Sequence, residues 1–232
     1  MVDKEKSKEN LITELWELRR RVADLEATGR KREYASGARS PGRPSSSYLV
    51  DGKYAITDLV DVEALRSLFE AFSDATGFTA GLVDYPLQKV LIATGWRDIC
   101  TKFHRAFPDS LRQCKKSNAM LTEKLKGPKS LSTNECEMGL IDGATPIIIK
   151  GAHIASITTG QVFFRRPHLE YFRRQAEHFQ FEPRPYMEAV NKVPVVSESQ
   201  FRNVLFFLRE LGTMIAELGM SNLEIRETMG EL

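Results

Sequence analysis

The sequence predicts an α+β fold, an antiparallel sheet flanked by helices, and three observations predict it. Two pairs of short runs rich in β-branched and aromatic residues are each joined by a tight connection, 78–86 with 89–96 and 144–150 with 152–164. Stretches with helical spacing precede, separate and follow those pairs. The C-terminal stretch carries an unbroken 3–4 apolar repeat, which a long helix produces.

Composition sets the frame. The chain of 232 residues has room for one good-sized domain with extensions. At 42% hydrophobic and 28% charged residues, a real core is expected. A net charge of +2 gives no electrostatic footprint for nucleic acid, so no nucleic-acid partner is expected. No apolar run approaches the roughly 20 residues of a bilayer span, and no membrane partner is expected. The N-terminal "MVDKEKSKEN" lacks the apolar core of a secretory signal. The 3 cysteines cannot all pair, which points to free thiols and a cytoplasmic setting.

In chain order, residues 1–28 are expected to form a short coiled-coil helix, with Leu11, Leu15, Leu18, Val22 and Leu25 along its seam. Residues 29–53 are rich in Gly, Ser, Pro and Arg and read as a flexible basic linker. The domain proper spans 54–200. It opens with an amphipathic helix over 56–76, capped by Thr57 or Asp58, packed through Leu65, Leu68, Phe69 and Phe72, and ended by Gly77. After the first hairpin come helical segments at 97–106 and 109–125, divided by Pro108. The second hairpin turns at Lys150-Gly151 and is followed by helices at 167–180 and 184–192. A final helix starts near Ser197, with Gln200 three residues on, as a capping box requires. Its seam reads Phe201, Val204, Leu208, Leu211, Ile215, Leu218, Asn222, Ile225 and Met229. Residues 201–232 are therefore expected to pack on the core at first and then leave it as a signalling helix and homodimer stalk. Helices entering and leaving a small antiparallel sheet make the arrangement PAS/GAF-like.

The runs "ITDLVDVEALRSLFEAFSDATGFTAGLVDYP", "VLIATGWRDICTKFHR", "CEMGLIDGATPIIIKGAHIASITTGQVFF" and "VPVVSESQF" resemble the PocR-type sensory domain, over about residues 54–221. The resemblance implies a PAS-like module that binds small hydrocarbon derivatives such as diols. It implies a place ahead of an output such as a histidine kinase, a nucleotide cyclase or DNA-binding helices. The sequence contains no recognisable kinase core, ATP lid or helix-turn-helix, so the output is not carried over.

The candidate chemistry lies in "RDICTKFHRAFPDSLRQC". On a helix, Cys100 and His104 share a face at i and i+4. Cys114 follows on the next helix and Cys136 on the approach to the second hairpin. Three readings stay open. The thiols and imidazole line a ligand pocket together with Trp96, Phe103, Gly160 and Gln161. Alternatively Cys100, His104, Cys114 and Cys136 form a Cys3His metal site for zinc or another soft-ligand metal, or a redox site. Their spacing matches no common zinc module. Finally, the cysteines are plain core residues. Trp96 is a pocket wall or core filler, and Gln161 meets a polar ligand or faces water on an edge strand. His153 is expected to be exposed, and His168 and His178 lie on a solvated face. No catalytic motif is present, and a Cys–His nucleophile pair lacks a readable third group, so no enzyme is expected.

Overall fold

The structure, a computed structural model, describes residues 49–230. The expected coiled-coil helix and all but the end of the expected linker lie outside the described residues. That linker end belongs to the fold: Val50 is fully buried, and its N–H donates to the Tyr54 carbonyl at 2.9 Å.

The predicted first helix is two, α1 (Ile56–Leu59) and α2 (Val62–Thr76). They separate because Asp61 takes an extended conformation and its carboxylate accepts from the Glu63 and Ala64 N–H groups at 3.0 and 3.1 Å. Asp61 thus caps α2, while Asp58 serves the start of α1 as expected, its carboxylate accepting from the Ala55 N–H at 2.8 Å. Gly77 ends α2 in the left-handed region at φ 72°, as expected. Leu65 and Phe69 face the core, whereas Leu68, expected inside, is 46% exposed.

Five strands form one antiparallel sheet in the order β2-β1-β5-β4-β3. β1 (Ala80–Asp84) and β2 (Val90–Thr94) form the first hairpin, where Asp84 accepts from the Lys89 N–H at 2.6 Å. β4 (Ile141–Ile149) and β5 (Ala152–Val162) form the second, turning through Lys150 at φ 46° and Gly151 at φ 77°. Two residues with positive φ twist in the same sense as the strands, which suits a two-residue hairpin. The edge strand β3 (Ser132–Glu135) was not foreseen; its polar "STNE" lacks the apolar alternation that marks a strand.

A π-helical turn (Ile99–His104) and α3 (Pro108–Glu123) connect the two hairpins. Pro108 sits in the first turn of α3, where its missing N–H costs nothing. After β5 come α4 (Leu169–Phe179), α5 (Pro183–Asn191) and the 33-residue α6 (Glu198–Gly230). Ser197 accepts from the Gln200 N–H at 3.1 Å, so the predicted N-terminal cap is formed.

The sheet is the middle layer. Along β4, Gly143 lies against Phe201 and Leu205 of α6, and Thr145 lies near Gly212 of α6. The intervening Ala144 clusters instead with Leu121 of α3 and Leu125. α1, α2 and α6 thus cover one face through Phe69, Leu208, Leu211 and Ile215. The π-turn and α3 lie on the other face, and α4 and α5 pack around Phe181 and Tyr186 beside them.

The predicted seam of α6 is largely an intrachain contact. Phe201, Leu208, Leu211 and Ile215 are buried in the domain, and so are Gly219 and Leu223 farther along. Asn222 is not a coiled-coil register residue against a partner; its Nδ2 donates to the Leu59 carbonyl at 2.8 Å. The C-terminal members of that seam, Leu218, Ile225 and Met229, instead face outward, in line with Phe207 and Met214.

The packing assigns opposite consequences to neighbouring faces of α6. Leu208→Ala should lower unfolding stability by about 2–5 kcal/mol through loss of buried surface and cavity formation. Arg202→Ala, at an exposed position of the same helix away from its outward apolar stripe, should change it by no more than about 0.5 kcal/mol. Urea denaturation of the two variants checks the assignment, and comparable losses would refute it.

Candidate ligand-binding site

The site begins with an irregularity in the sheet. Ile141 pairs with Val162 and Asp142 with Gly160, leaving Gln161 as an extra residue in β5. This β-bulge requires unusual backbone, φ 145° at Gly160 and φ 56° at Gln161. Glycine is needed at 160, because a Cβ there would meet the Asp142 backbone and the Ile141 carbonyl at 2.6 Å. The bulge leaves the Gln161 N–H outside the ladder, and the Asp142 carboxylate accepts it at 3.1 Å. The Gln161 side chain is re-aimed inward, where its Oε1 accepts from the Arg97 N–H at 2.6 Å. Gln161 is therefore buried, not the water-facing edge residue considered from sequence.

Arg97 is the entry to the π-turn. The wider turn is closed by the Arg105 N–H donating to the Cys100 carbonyl five residues back, at 2.9 Å. An α-helix would stack Cys100 with His104 alone; the π-turn brings Arg105 to the same wall. The Arg105 guanidinium lies 5.1 Å from the Trp96 ring centroid, a cation–π contact.

These elements enclose a cavity of about 50 Å³ between the sheet, the π-turn and α3. A water-sized group takes about 10–15 Å³ of such space, so the cavity holds roughly three to five non-hydrogen atoms. Of the eight residues singled out from sequence, Trp96, Cys100, His104, Cys114, Cys136 and Gln161 line it. Phe103 does not: it packs edge-on against Phe181 and Tyr186, at 5.7 and 5.1 Å between centroids. Gly160 does not either; it shapes the bulge beside the wall. Sequence reasoning missed Asp142, Ser117, Asn118 and Thr158, all on the wall. Asp142 had one readable signal, a lone acid inside an otherwise apolar strand, but "Ile-Asp-Gly" also reads as a turn.

Burial dominates the electrostatics. It raises the Asp142 pKa to about 6, against the pull of the Gln161 N–H, the Cys136 thiol and the Arg105 charge. Burial and the Asp142 charge hold all three thiols protonated: Cys114 is pushed up to about 11, and Cys100 and Cys136 are also raised well above the ordinary thiol value. Thiolate is the form that attacks electrophiles or ligates metals. Among the described residues, no group of three or more His, Cys, Asp or Glu is placed to hold a metal ion.

His104 is fully buried, and burial lowers its pKa to about 3. Its Nε2 is 2.8 Å from the Tyr186 hydroxyl. Tyr186 donates in turn to Gln175 Oε1, Gln175 Nε2 donates to the Tyr171 hydroxyl at 3.3 Å, and Tyr171 donates to the Glu137 carbonyl at 3.3 Å. The other ring nitrogen, Nδ1, is buried without a hydrogen-bond partner among the described residues. A buried acceptor left unpaired costs about 1–3 kcal/mol. His153 also departs from expectation: it is half-buried, stacked on Tyr85 at 4.0 Å, and its pKa is lowered to about 4, chiefly by burial. His168 and His178 are exposed, as expected.

The model of the sensory domain found in PocR matches residues 58–220. No curated protein and no solved structure matches the chain. The match covers well over half of the chain, which therefore belongs to the PocR sensory-domain family.

The pKa values predict the acid side of stability. His104 stays neutral when folded but takes a proton when unfolded below pH 6.5, so its contribution is lost as pH falls from 6.5 toward 3. His153 acts in the same direction from 6.5 toward 4. Asp142 opposes them: the folded state binds its proton first, so falling pH between 6 and 3.8 favours folding. One titrating group gives a slope of up to about 1.4 kcal/mol per pH unit. Unfolding titrations should show wild-type stability falling between pH 6 and 4, and His104→Gln should be nearly flat there. Parallel slopes would contradict the assignment.

Proposed function

We propose that this sensory domain binds a small, weakly polar hydrocarbon derivative, of which a short diol is the type, in the cavity beside the π-turn. We propose further that it is not an enzyme, and that in the cytoplasm it passes occupancy through α6 to an output such as a histidine kinase. The observation that carries the reading is the cavity itself, which pairs apolar wall from Trp96 and Leu121 with polar groups from Asp142, Asn118 and Gln161. A few precisely placed polar groups on an apolar wall are what orient a small ligand. Its three-to-five-atom capacity matches a two- or three-carbon diol. A ligand transmits only the difference in its affinity for two conformations, a few kcal/mol at most. The geometry supports a relay because the bulge joins the cavity wall to β4 and β5, which carry α6 on their opposite face.

The proposed dimer uses the outer stripe of α6. Phe207, Met214, Leu218, Ile225 and Met229 recur at intervals of seven and four, a self-complementary seam for a second copy of the same helix. No helix among the described residues is long and apolar enough to cross a membrane.

A metal- or redox-sensing reading stays as the second, because Cys100, Cys114, Cys136 and His104 do line one cavity. Protonated thiols weigh against it.

Two measurements test these proposals. Propane-1,2-diol or propane-1,3-diol should raise the melting temperature of reduced protein shown to be metal-free by elemental analysis, and Trp96→Ala should reduce that shift. No shift with any short diol or alcohol, or stoichiometric zinc lost with Cys114→Ser, would reverse the order of the two readings. By light scattering, the protein should be a dimer that Leu218→Glu with Ile225→Glu converts to a monomer. A wild-type monomer would remove the dimer from the scheme.

A further inference from the structure

The hydrogen-bond chain behind the cavity fixes which proton His104 carries. A backbone carbonyl only accepts, so Tyr171 spends its single hydroxyl proton on Glu137. Tyr171 must then accept from Gln175, which orients the amide with Nε2 toward Tyr171 and Oε1 toward Tyr186. Tyr186 spends its proton on that Oε1 and must accept from His104. The proton of the neutral imidazole therefore sits on Nε2, and Nδ1 is a bare lone pair. That lone pair belongs to a fully buried side chain on the cavity wall and has no partner among the described residues.

We propose that His104 is the specificity-determining residue of the site: its Nδ1 accepts a hydrogen bond from a hydroxyl or amino group of the bound molecule. The inference rests on the proposed ligand-binding role and deepens it. Alcohols and amines satisfy the orphaned acceptor. Ethers and carboxylate anions bring no proton to it and set their own lone pairs against it. The Tyr186–Gln175–Tyr171 chain is what holds the imidazole in this receptive state, since turning the proton round would require four groups to reverse together. A metal ion at Nδ1 would use the same lone pair, and the closing experiment separates the two.

The test compares molecules of five non-hydrogen atoms on full-length, reduced, metal-checked protein: propane-1,2-diol, propane-1,3-diol, 2-methoxyethanol, diethyl ether and propanoate. Affinities are read by thermal shift and calorimetry. The diols should bind, methoxyethanol less tightly, and diethyl ether and propanoate at least about tenfold more weakly than the diols. His104→Gln keeps an amide near the Nε2 position to meet Tyr186 but deletes the Nδ1 acceptor. It should weaken the diols by about tenfold and erase their advantage over the ether. Should that variant fail to fold, nitrogen NMR of histidine-labelled wild type decides: the His104 resonances should report a protonated Nε2 and a bare Nδ1, and only Nδ1 should shift strongly with diol. Equal binding of ether and diol, a protonated Nδ1, or unchanged selectivity in His104→Gln overturns the role of His104 while leaving the ligand-binding reading intact. Binding by none of the five overturns both. A zinc-dependent shift of Nδ1 without response to diols assigns the lone pair to metal and overturns the proposal.

Discussion

Everything on the cavity side of this domain depends on one extra residue in β5. Gln161 has no place in the ladder, so its backbone N–H needs a partner, and Asp142 supplies the carboxylate. The same displacement turns the Gln161 side chain inward to hold the Arg97 N–H. That contact fixes where the π-turn starts, and the turn then presents Cys100, His104 and Arg105 together. A regular strand would have sent Gln161 to the alternate face and left the turn without its anchor. An unpaired buried N–H would cost about 1–3 kcal/mol, which is why a part-buried acid is tolerated at the wall.

The sequence made the regular parts of this architecture legible and concealed the irregular ones. Both hairpins, the Lys150-Gly151 turn, the end of α2 at Gly77 and the start of α6 at Ser197 follow from short-range rules that tertiary context did not override. The π-turn was read as ordinary helix because its apolar and polar residues satisfy both spacings over six positions. β3 escaped because an edge strand answers to its neighbour's hydrogen bonds and not to a buried face. Asp142 and the inward Gln161 escaped for one shared reason: each is explained only by the other, 19 residues away in the chain, and a single sequence shows no such pairing.

α6 shows how one apolar pattern divides between two faces. Its apolar positions form two overlapping 3–4 stripes, and periodicity alone does not say which one the parent domain takes. The domain takes Leu208, Leu211, Ile215 and Leu223, with Gly212 and Gly219 allowing the helix to lie close on the sheet. Near the C-terminal end, Lys150 from the β4–β5 turn pairs with both Asp51 and Glu227, at 2.8 and 3.1 Å. These are surface pairs of small individual energy, but they tie both ends of the described domain to a single hairpin tip.

Because successive side chains of a strand point to opposite faces, β4 writes two independent messages in one run of residues. Asp142 and Ala144 face the cavity layer, while Gly143 and Thr145 face α6. Substitution at even positions here can retune what is recognised without touching the helix that reports it, and substitution at odd positions can do the reverse. Residue parity along a single strand thus gives this domain a way to diversify its chemistry and its mechanical output separately.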